Sequence, residues 1–119
     1  MSQHFSNPPL PQITVAELAQ KLAEAADHLQ LVDVREPWEV ETAQISGFIN
    51  LPLSEYGEWS EDIHARLDSG KETLVLCHHG IRSAQMCQWL ILQGFTNVKN
   101  IVGGIAEYSS RVDSTVPTY

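Results

Sequence analysis

Short apolar runs alternate with segments of helical pattern along most of the chain, and this alternation restricts the folds that it can adopt. The apolar runs are LQLVDV at 29–34, GFINLPL at 47–53, TLVLC at 73–77 and NVKNIVGG at 97–104. The predicted helices lie at 13–28, 59–71 and 83–95, and a short segment at 105–112 follows the last apolar run. Strands that alternate with helices usually pair in parallel, because each helix carries the chain back to the same edge of the sheet. We therefore predict an α/β fold with a central, mostly parallel sheet flanked by helices.

Local signals support two of these boundaries. Thr14 followed by Glu17 is a capping-box pattern, which marks the start of the first helix. Pro37 disfavours helical geometry at Glu36, so the segment REPWEVE at 35–41 is predicted to be a charged loop that follows a buried strand.

Length and composition indicate one domain. The chain has 119 residues, 43% of them apolar, which is enough for a hydrophobic core without a metal or disulfide. Residues 1–12 are polar and rich in proline, so we expect a flexible lead-in followed by a domain at 13–119. Two cysteines, no charged-then-apolar amino terminus and no long apolar segment favour a reducing compartment, and we expect a cytoplasmic protein.

The charge balance makes two classes of partner improbable. The chain carries 15 acidic and 7 basic side chains, a net charge of −8 at pH 7. Such a chain repels phosphate backbones and anionic lipid surfaces. We expect no nucleic-acid and no membrane partner.

The segment CHHGIRS at 77–83 places a thiol between a strand and a helix. Cys77 ends the predicted strand 73–77, and Arg82 opens the following helix. Few residues separate them, so the loop must curl tightly, and Gly80 can supply the positive φ that such a curl needs. Inward N–H groups, a helix amino terminus and an arginine together form an anion cradle.

A cysteine in such a cradle is expected to ionise readily and to act as a nucleophile. Two chemistries use this geometry. A loop with five residues between cysteine and arginine has room for a phosphate and suits a cysteine phosphatase. Here Cys77 and Arg82 are separated by four residues, a smaller ring that suits one additional sulfur atom on the thiolate.

Four segments in this order resemble a single-domain rhodanese, the thiosulfate sulfurtransferase family. They are CHHGIRS at 77–83, LVDVREPWEVE at 31–41, ISGFINLPL at 45–53 and NIVGGIAEY at 100–108. The resemblance implies that sulfane sulfur moves from thiosulfate or a persulfide donor to a thiol, cyanide or protein acceptor. It also implies that this transfer needs no cofactor.

The resemblance also assigns roles to individual residues. Cys77 is implied to form the persulfide, with Arg82 as the second catalytic residue that holds the loop and helps to bind an anionic donor. Asp33 and Arg35 are implied to support the site from a neighbouring strand. The substrate-binding cradle is implied to consist of His78, His79, Gly80, Ile81 and Ser83. The chain departs from common family patterns at Gln44, where relatives often have histidine, and at Tyr108, where they often have tryptophan.

Several other residues have simpler interpretations. Cys87 lies on the apolar face of the helix 83–95, which favours core packing over a role in resolving a persulfide. His78 and His79 are not expected to bind a metal with Cys77, because adjacent side chains diverge and the chain has no second spaced pair of ligands. The acidic residues of the 35–41 segment, among them Glu39, are predicted to lie on a solvated face.

Other functions stay open on the sequence alone. The first alternative is a cysteine phosphatase of the same fold, which the short loop disfavours. The second is a non-catalytic binding module, which the presence of Cys77 disfavours. The last residues, RVDSTVPTY at 111–119, resemble the tail of rhodanese domains fused to adenylyltransferases, so the chain could instead pass its persulfide sulfur to a ubiquitin-like sulfur-carrier protein.

Overall fold

A five-stranded parallel sheet forms the centre of the molecule in the computed structural model, which describes residues 9–119. The strands are β1 (Gln12–Ile13), β2 (Leu29–Asp33), β3 (Ile49–Asn50), β4 (Glu72–Leu76) and β5 (Val98–Ile101). Their order across the sheet is β1-β5-β4-β2-β3, and every pairing is parallel. The predicted α/β fold with a central parallel sheet is confirmed.

Within residues 9–119, six α-helices pack around this sheet. They are α1 (Val15–Ala25), α2 (Pro37–Thr42), α3 (Tyr56–Trp59), α4 (Ile63–Arg66), α5 (Ile81–Leu92) and α6 (Gly104–Arg111). The capping box predicted for the first helix is present, since Thr14 Oγ1 accepts from the N–H of Glu17 and the Glu17 carboxylate accepts from the N–H of Thr14.

Alternate residues of the central strands face two separate hydrophobic layers. Leu74 and Leu76 of β4 pack in the layer that contains residues of α1 and α6. Val75 and Cys77 pack in the opposite layer, with residues of α3, α4 and α5. This alternation follows from the two-residue period of a strand, and it gives a three-layer arrangement with the sheet in the middle.

The register of the sheet brings the predicted site residues to one edge. Asp33, the last residue of β2, is paired with Leu76, the last residue of β4. Cys77 follows Leu76 directly, so Asp33 and Cys77 both lie at the carboxyl edge of the sheet. Open parallel sheets bind ligands at this edge.

The segment 35–41 is a helix from Pro37 onward, so the prediction of a charged loop was wrong. Glu36 is the N-cap of α2, and Pro37 occupies the first helical position. Proline is favoured there because its missing N–H would have no intrahelical partner and its φ already fits the helix. The restriction on the residue before proline therefore marks the start of this helix.

Two further segments differ from their predicted extent. The predicted helix at 59–71 begins earlier, at Tyr56, and consists of α3, a 3-10 turn at Ser60–Asp62 and α4, so helical structure ends at Arg66 instead of near Gly70. The predicted strand at 47–53 pairs only over Ile49–Asn50. This strand, β3, lies at one edge of the sheet and has a neighbouring strand on one side only.

Strand β1 had no signal in the sequence. It has two residues, Gln12 and Ile13, and it pairs with Asn100 and Ile101 of β5. Most of the predicted lead-in, residues 1–12, lies outside the described residues. Within 9–119, no helix is long and apolar enough to cross a membrane.

Candidate active site

The loop after β4 curls around the sulfur of Cys77. The N–H of Gly80 donates to Cys77 Sγ over 3.0 Å, and Cys77 is only 1% exposed. Gly80 has φ +100°, and a Cβ there would lie 3.2 Å from the backbone nitrogen of Gly103. A side chain at position 80 would therefore be disfavoured both by backbone conformation and by the neighbouring chain.

Ser83 connects the sulfur to the next strand. Its Oγ lies 3.2 Å from Cys77 Sγ and donates to the side-chain carbonyl of Asn100 on β5. The amide nitrogen of Asn100 donates in turn to the carbonyl of Gly80 over 3.0 Å. Because the hydroxyl proton of Ser83 is directed to Asn100, Ser83 Oγ is placed to accept the S–H of a neutral Cys77.

The start of α6 holds the same loop from behind. The N–H of Ile105 donates to the carbonyl of Cys77 over 3.0 Å, and the N–H of Ala106 donates to the carbonyl of His78 over 3.1 Å. Gly104 allows this approach, because a Cβ at that position would lie 2.5 Å from the Cys77 carbonyl oxygen. Helix α6 thus holds the loop through two of the loop's carbonyl groups. These hydrogen bonds use none of the loop's own N–H groups.

The first turn of α5 lies at the other end of the loop. The N–H groups of Ile81, Arg82 and Ser83 are in this turn, where a helix has no carbonyl of its own to accept from them. The partial positive charge of a helix amino terminus adds to these donors. This end of the loop is suited to bind an anion.

The guanidinium of Arg82 is paired with a carboxylate. Arg82 Nη1 and Nη2 donate to the two carboxylate oxygens of Glu39 over 2.7 and 2.9 Å. These hydrogen bonds hold the pKa of Glu39 at about 2, against the opposing effect of burial. Arg82 therefore ties the start of α5 to α2, and its positive charge is balanced by Glu39.

Glu39 is buried, with 4% of its surface exposed, so its predicted place on a solvated face was wrong. The sequence did contain a signal. Proline is favoured at the first position of a helix, and Glu39, two residues after Pro37, is placed to accept from the N–H of Glu36. The signal was missed because the segment was not expected to be helical.

Arg35 and Asp33 form a buried ion pair at the edge of the sheet. Arg35 Nη2 lies 2.7 Å from Asp33 Oδ2, and Arg35 Nε donates to the same carboxylate. Arg35 also donates to two backbone carbonyls, that of Glu39 within α2 and that of Ala43 at its C-cap. The structure thus places this pair beneath α2, where it supports the backbone that carries Glu39.

The two histidines of the loop lie side by side. The rings of His78 and His79 are stacked with centroids 4.0 Å apart, so the expectation that adjacent side chains diverge was wrong. The other contact of His78 is with Tyr119, whose ring is stacked on it at 4.0 Å and 8°. Burial and then the neighbouring His79 lower the pKa of His78.

Tyr119 was not among the residues that the sequence indicated. Its hydroxyl accepts from Arg35 Nη1 and donates to Glu39 Oε2, each over 2.9 Å. It lies 41 to 84 positions from the residues that it contacts, and no local pattern in a sequence reports such a contact.

Cys87 is fully buried on α5, within the same hydrophobic layer as Cys77. Burial raises the pKa of its thiol to about 12. The core position predicted for it agrees with this environment. Among residues 9–119, no three His, Cys, Asp or Glu side chains are grouped as a set of metal ligands.

Known proteins resemble the chain over most of its length. The family model described as "Rhodanese-like domain" matches residues 14–111. The rhodanese-like/PpiC domain-containing protein 12 of Arabidopsis thaliana, a chloroplastic protein, is 47% identical over 113 residues, which are 93% of this chain and 38% of that protein. A putative sulfurtransferase of Bacillus subtilis, YtwF, is 35% identical over 81% of this chain and 87% of its own length.

Solved structures share the fold. A rhodanese-related protein from Thermoplasma volcanium superposes with a TM-score of 0.71 at 30% identity, covering 86% of this chain and 93% of that one. The chain spans only 38% of the Arabidopsis protein and 54% of a putative sulfur carrier protein of Bacillus subtilis, YrkF, to which it is 30% identical over 104 residues, so it corresponds to one part of those longer proteins. The matched segment contains the whole loop around Cys77 and the residues that support it from α2, β5 and α6. The chain is therefore a member of the rhodanese-like domain family.

Proposed function

We propose that the protein is a sulfurtransferase that carries sulfane sulfur on Cys77. One observation supports this proposal most directly. Cys77 Sγ lies within a short loop that donates the N–H of Gly80 to it, next to the open first turn of α5. A sulfur atom added to Sγ would enter a region rich in N–H donors, which favours a charged persulfide.

The reaction consists of two displacements. The Cys77 thiolate attacks the outer sulfur of thiosulfate, a new S–S bond forms, and the old S–S bond breaks with its electron pair leaving on sulfite. A nucleophilic acceptor then attacks the outer sulfur of the persulfide and returns Cys77 to the thiolate. Cyanide would leave as thiocyanate, and a thiol as a new persulfide. Neither step needs an external oxidant or reductant, and a covalent enzyme intermediate predicts ping-pong kinetics.

The residues of the loop have distinct proposed roles. Gly80 and the first turn of α5, with Ile81 and Ser83, bind the sulfur anion through their backbone N–H groups. His78 and His79 form the wall of the cradle. Arg82 holds the loop and contributes positive charge toward an anionic donor. Its ion pair with Glu39 offsets part of that charge. Asp33 and Arg35 support the site through α2.

A cysteine phosphatase of the same fold is a weaker candidate, because four residues between Cys77 and Arg82 make a ring that is small for phosphate. A persulfide donor to a ubiquitin-like carrier protein uses the same first displacement and differs only in the acceptor. We favour thiosulfate or a persulfide as donor and a thiol or protein as acceptor. The expected cytoplasmic location stays a prediction, and a relative named as chloroplastic does not support it.

Mass spectrometry after incubation with thiosulfate tests the proposal. Cys77 should gain one sulfur atom and lose it to cyanide or dithiothreitol. A Cys77→Ser variant should gain nothing, whereas Cys87→Ser, the matched control in the core, should still be modified. Modification of Cys87, or of the Cys77→Ser protein, would refute the assignment.

A further inference from the structure

Tyr119 contacts three parts of the site at once, although it lies at the far end of the chain. Its hydroxyl bridges Arg35 and Glu39, its ring covers one face of His78, and its edge meets Trp38 with ring centroids 6.0 Å apart. A cavity of about 90 Å³ between the last residues and the loop is lined by both segments. The segment 117–119 thus lies directly against the loop.

We propose that Tyr119 is a positioning residue for sulfur transfer, which sets the place of Arg82 through Glu39 and the place of the loop through His78. This inference rests on the proposed function, because Arg82 matters only if an anionic donor binds beside Cys77. It adds a residue from outside the loop to the set that determines donor affinity.

The hydroxyl group carries the first half of the argument. Glu39 Oε2 accepts from Arg82 Nη2 and the Tyr119 hydroxyl, and Glu39 Oε1 accepts from Arg82 Nη1 and the N–H of Glu36. Tyr119 in turn is held by Arg35, which is completely buried and bonded to Asp33. The chain of contacts therefore begins at the edge of the sheet with Arg35 and passes through Tyr119 and Glu39. It ends at the side chain of Arg82, which is partly exposed. A carboxylate whose two oxygens are each held by a partner besides Arg82 restricts the guanidinium more than a carboxylate held at only one oxygen.

The ring carries the second half. Tyr119 and His78 are nearly parallel at a centroid distance of 4.0 Å, and His79 covers the other face of the same imidazole at the same distance. The titratable groups stacked on His78 are Tyr119 and His79, and the charges of Glu39, Arg82 and Arg35 also act on its pKa. Removal of the Tyr119 ring would expose His78 to water, and a cationic imidazole would then be tolerated more readily.

Kinetics of Tyr119→Phe test the hydroxyl. The variant keeps the ring, so we expect it to fold and to keep the stack on His78. Loss of a hydrogen bond to a charged group should lower kcat/KM for thiosulfate by roughly tenfold, mainly through a higher KM. Tyr56→Phe is the matched control, because Tyr56 contacts Trp59 and Trp89 instead of the loop, and it should keep the original kinetics. Equal kinetics in Tyr119→Phe and the unmodified protein would overturn the proposal.

A double-mutant cycle tests whether Tyr119 acts through Arg82. If it does, Tyr119→Phe should have little further effect in an Arg82→Ala background, because the group that it positions is already gone. If the fold-losses in kcat/KM of the two single variants instead multiply in the double variant, Tyr119 affects transfer by another route. That result would overturn the proposal.

Titration of His78 by NMR tests the ring without any activity measurement. Tyr119→Phe should leave the His78 midpoint where it is in the unmodified protein, and Tyr119→Leu should raise it. An unchanged midpoint in a folded Tyr119→Leu protein would contradict the positioning of His78, and if that variant does not fold, the kinetics of Tyr119→Phe decide alone. A protein that forms no persulfide at all refutes the proposed function, whereas normal persulfide formation with an inert Tyr119→Phe refutes only this inference.

Discussion

Gly104 leaves no space for a side chain between α6 and the carbonyl of Cys77. A Cβ at 104 would lie 2.5 Å from that oxygen, and the residue has φ +62°. The same approach allows Ile105 N–H to donate to Cys77. The position of the loop around Cys77 therefore depends on a glycine that is 27 residues away from Cys77 in the chain.

Replacement of this glycine should disturb both stability and transfer. We expect Gly104→Ala to lower the free energy of unfolding by about 1–3 kcal/mol, because the methyl group must push two backbone segments apart. Urea unfolding measures the change, and thiosulfate kinetics should show a parallel loss. Gly57→Ala is the control, since a Cβ at 57 meets nothing within 4 Å, and it should be neutral or slightly stabilising. Equal stability of the two variants would contradict this account of the loop.

Arg82 is expected to strengthen donor binding although its guanidinium is paired with Glu39. Arg82→Ala removes the tie between α5 and α2 and a positive charge near the cradle. We expect a loss of roughly tenfold to a hundredfold in kcat/KM for thiosulfate, since hydrogen bonds to charged groups contribute about 1.5–3 kcal/mol. Arg66→Ala, which removes an exposed arginine with only a 4.0 Å contact to Asp62, should leave the kinetics unchanged. Unaltered kinetics in a folded Arg82→Ala protein would exclude Arg82 from the site.

The ion pair of Glu39 predicts a specific dependence of stability on pH. The pKa of Glu39 is about 2 in the folded protein, below its ordinary value of 4.5. A depressed carboxyl pKa contributes stability above the unfolded value, and this contribution is lost as the pH falls from about 4.5 toward 2. Glu39→Gln should therefore be less stable than the unmodified protein at neutral pH, and the difference should shrink over that acidic range.

Unfolding by urea at several pH values measures this difference. Glu41→Gln is a suitable control, because Glu41 is exposed on the same helix, and it should follow the unmodified protein at every pH. A constant gap between Glu39→Gln and the unmodified protein down to pH 2 would show that the ion pair does not contribute through this ionisation.

Loop size should separate sulfur transfer from phosphate chemistry. The unmodified protein should hydrolyse aryl phosphates negligibly. A glycine inserted after Gly80 should lower thiosulfate transfer and raise affinity for vanadate, because one residue adds up to about 3.3–3.6 Å of chain and one more N–H. Vanadate binding and persulfide mass measure the two effects. Efficient phosphate hydrolysis through Cys77 without persulfide formation would favour the phosphatase.

The sequence predicted the fold and the position of Cys77 because both depend on local patterns. Short apolar runs marked β2 and β4, and the succession of strand, Cys77, Gly80 and helix required a tight curl at the carboxyl edge of the sheet. Strand β1 escaped notice because two residues are too few for a periodicity. It forms because Ile13 finds a partner in β5, which only the folded sheet provides.

The surroundings of the loop were harder to predict, since they depend on contacts between distant segments. The sequence predicts a solvated Glu39 when Pro37 is treated as a helix breaker, whereas Pro37 begins the helix that buries Glu39. Tyr119 and Asn100 reach the loop from other elements, and nothing in their own neighbourhoods distinguishes them from ordinary polar residues. The contacts of residues that reach a site from distant parts of the chain are set by the topology of the fold, so a sequence motif does not predict them.

Cys77 belongs to both halves of the molecule, since its side chain lies in one hydrophobic layer and its carbonyl is bonded to a helix of the other. Closure of the loop is therefore tied to the docking of α6. In hydrogen-exchange experiments, the amides of Ile105 and Ala106 would become unprotected each time their hydrogen bonds to the loop break. Two backbone amides outside the loop around Cys77 thus provide a probe of its opening that requires neither a substrate nor a label on the sulfur.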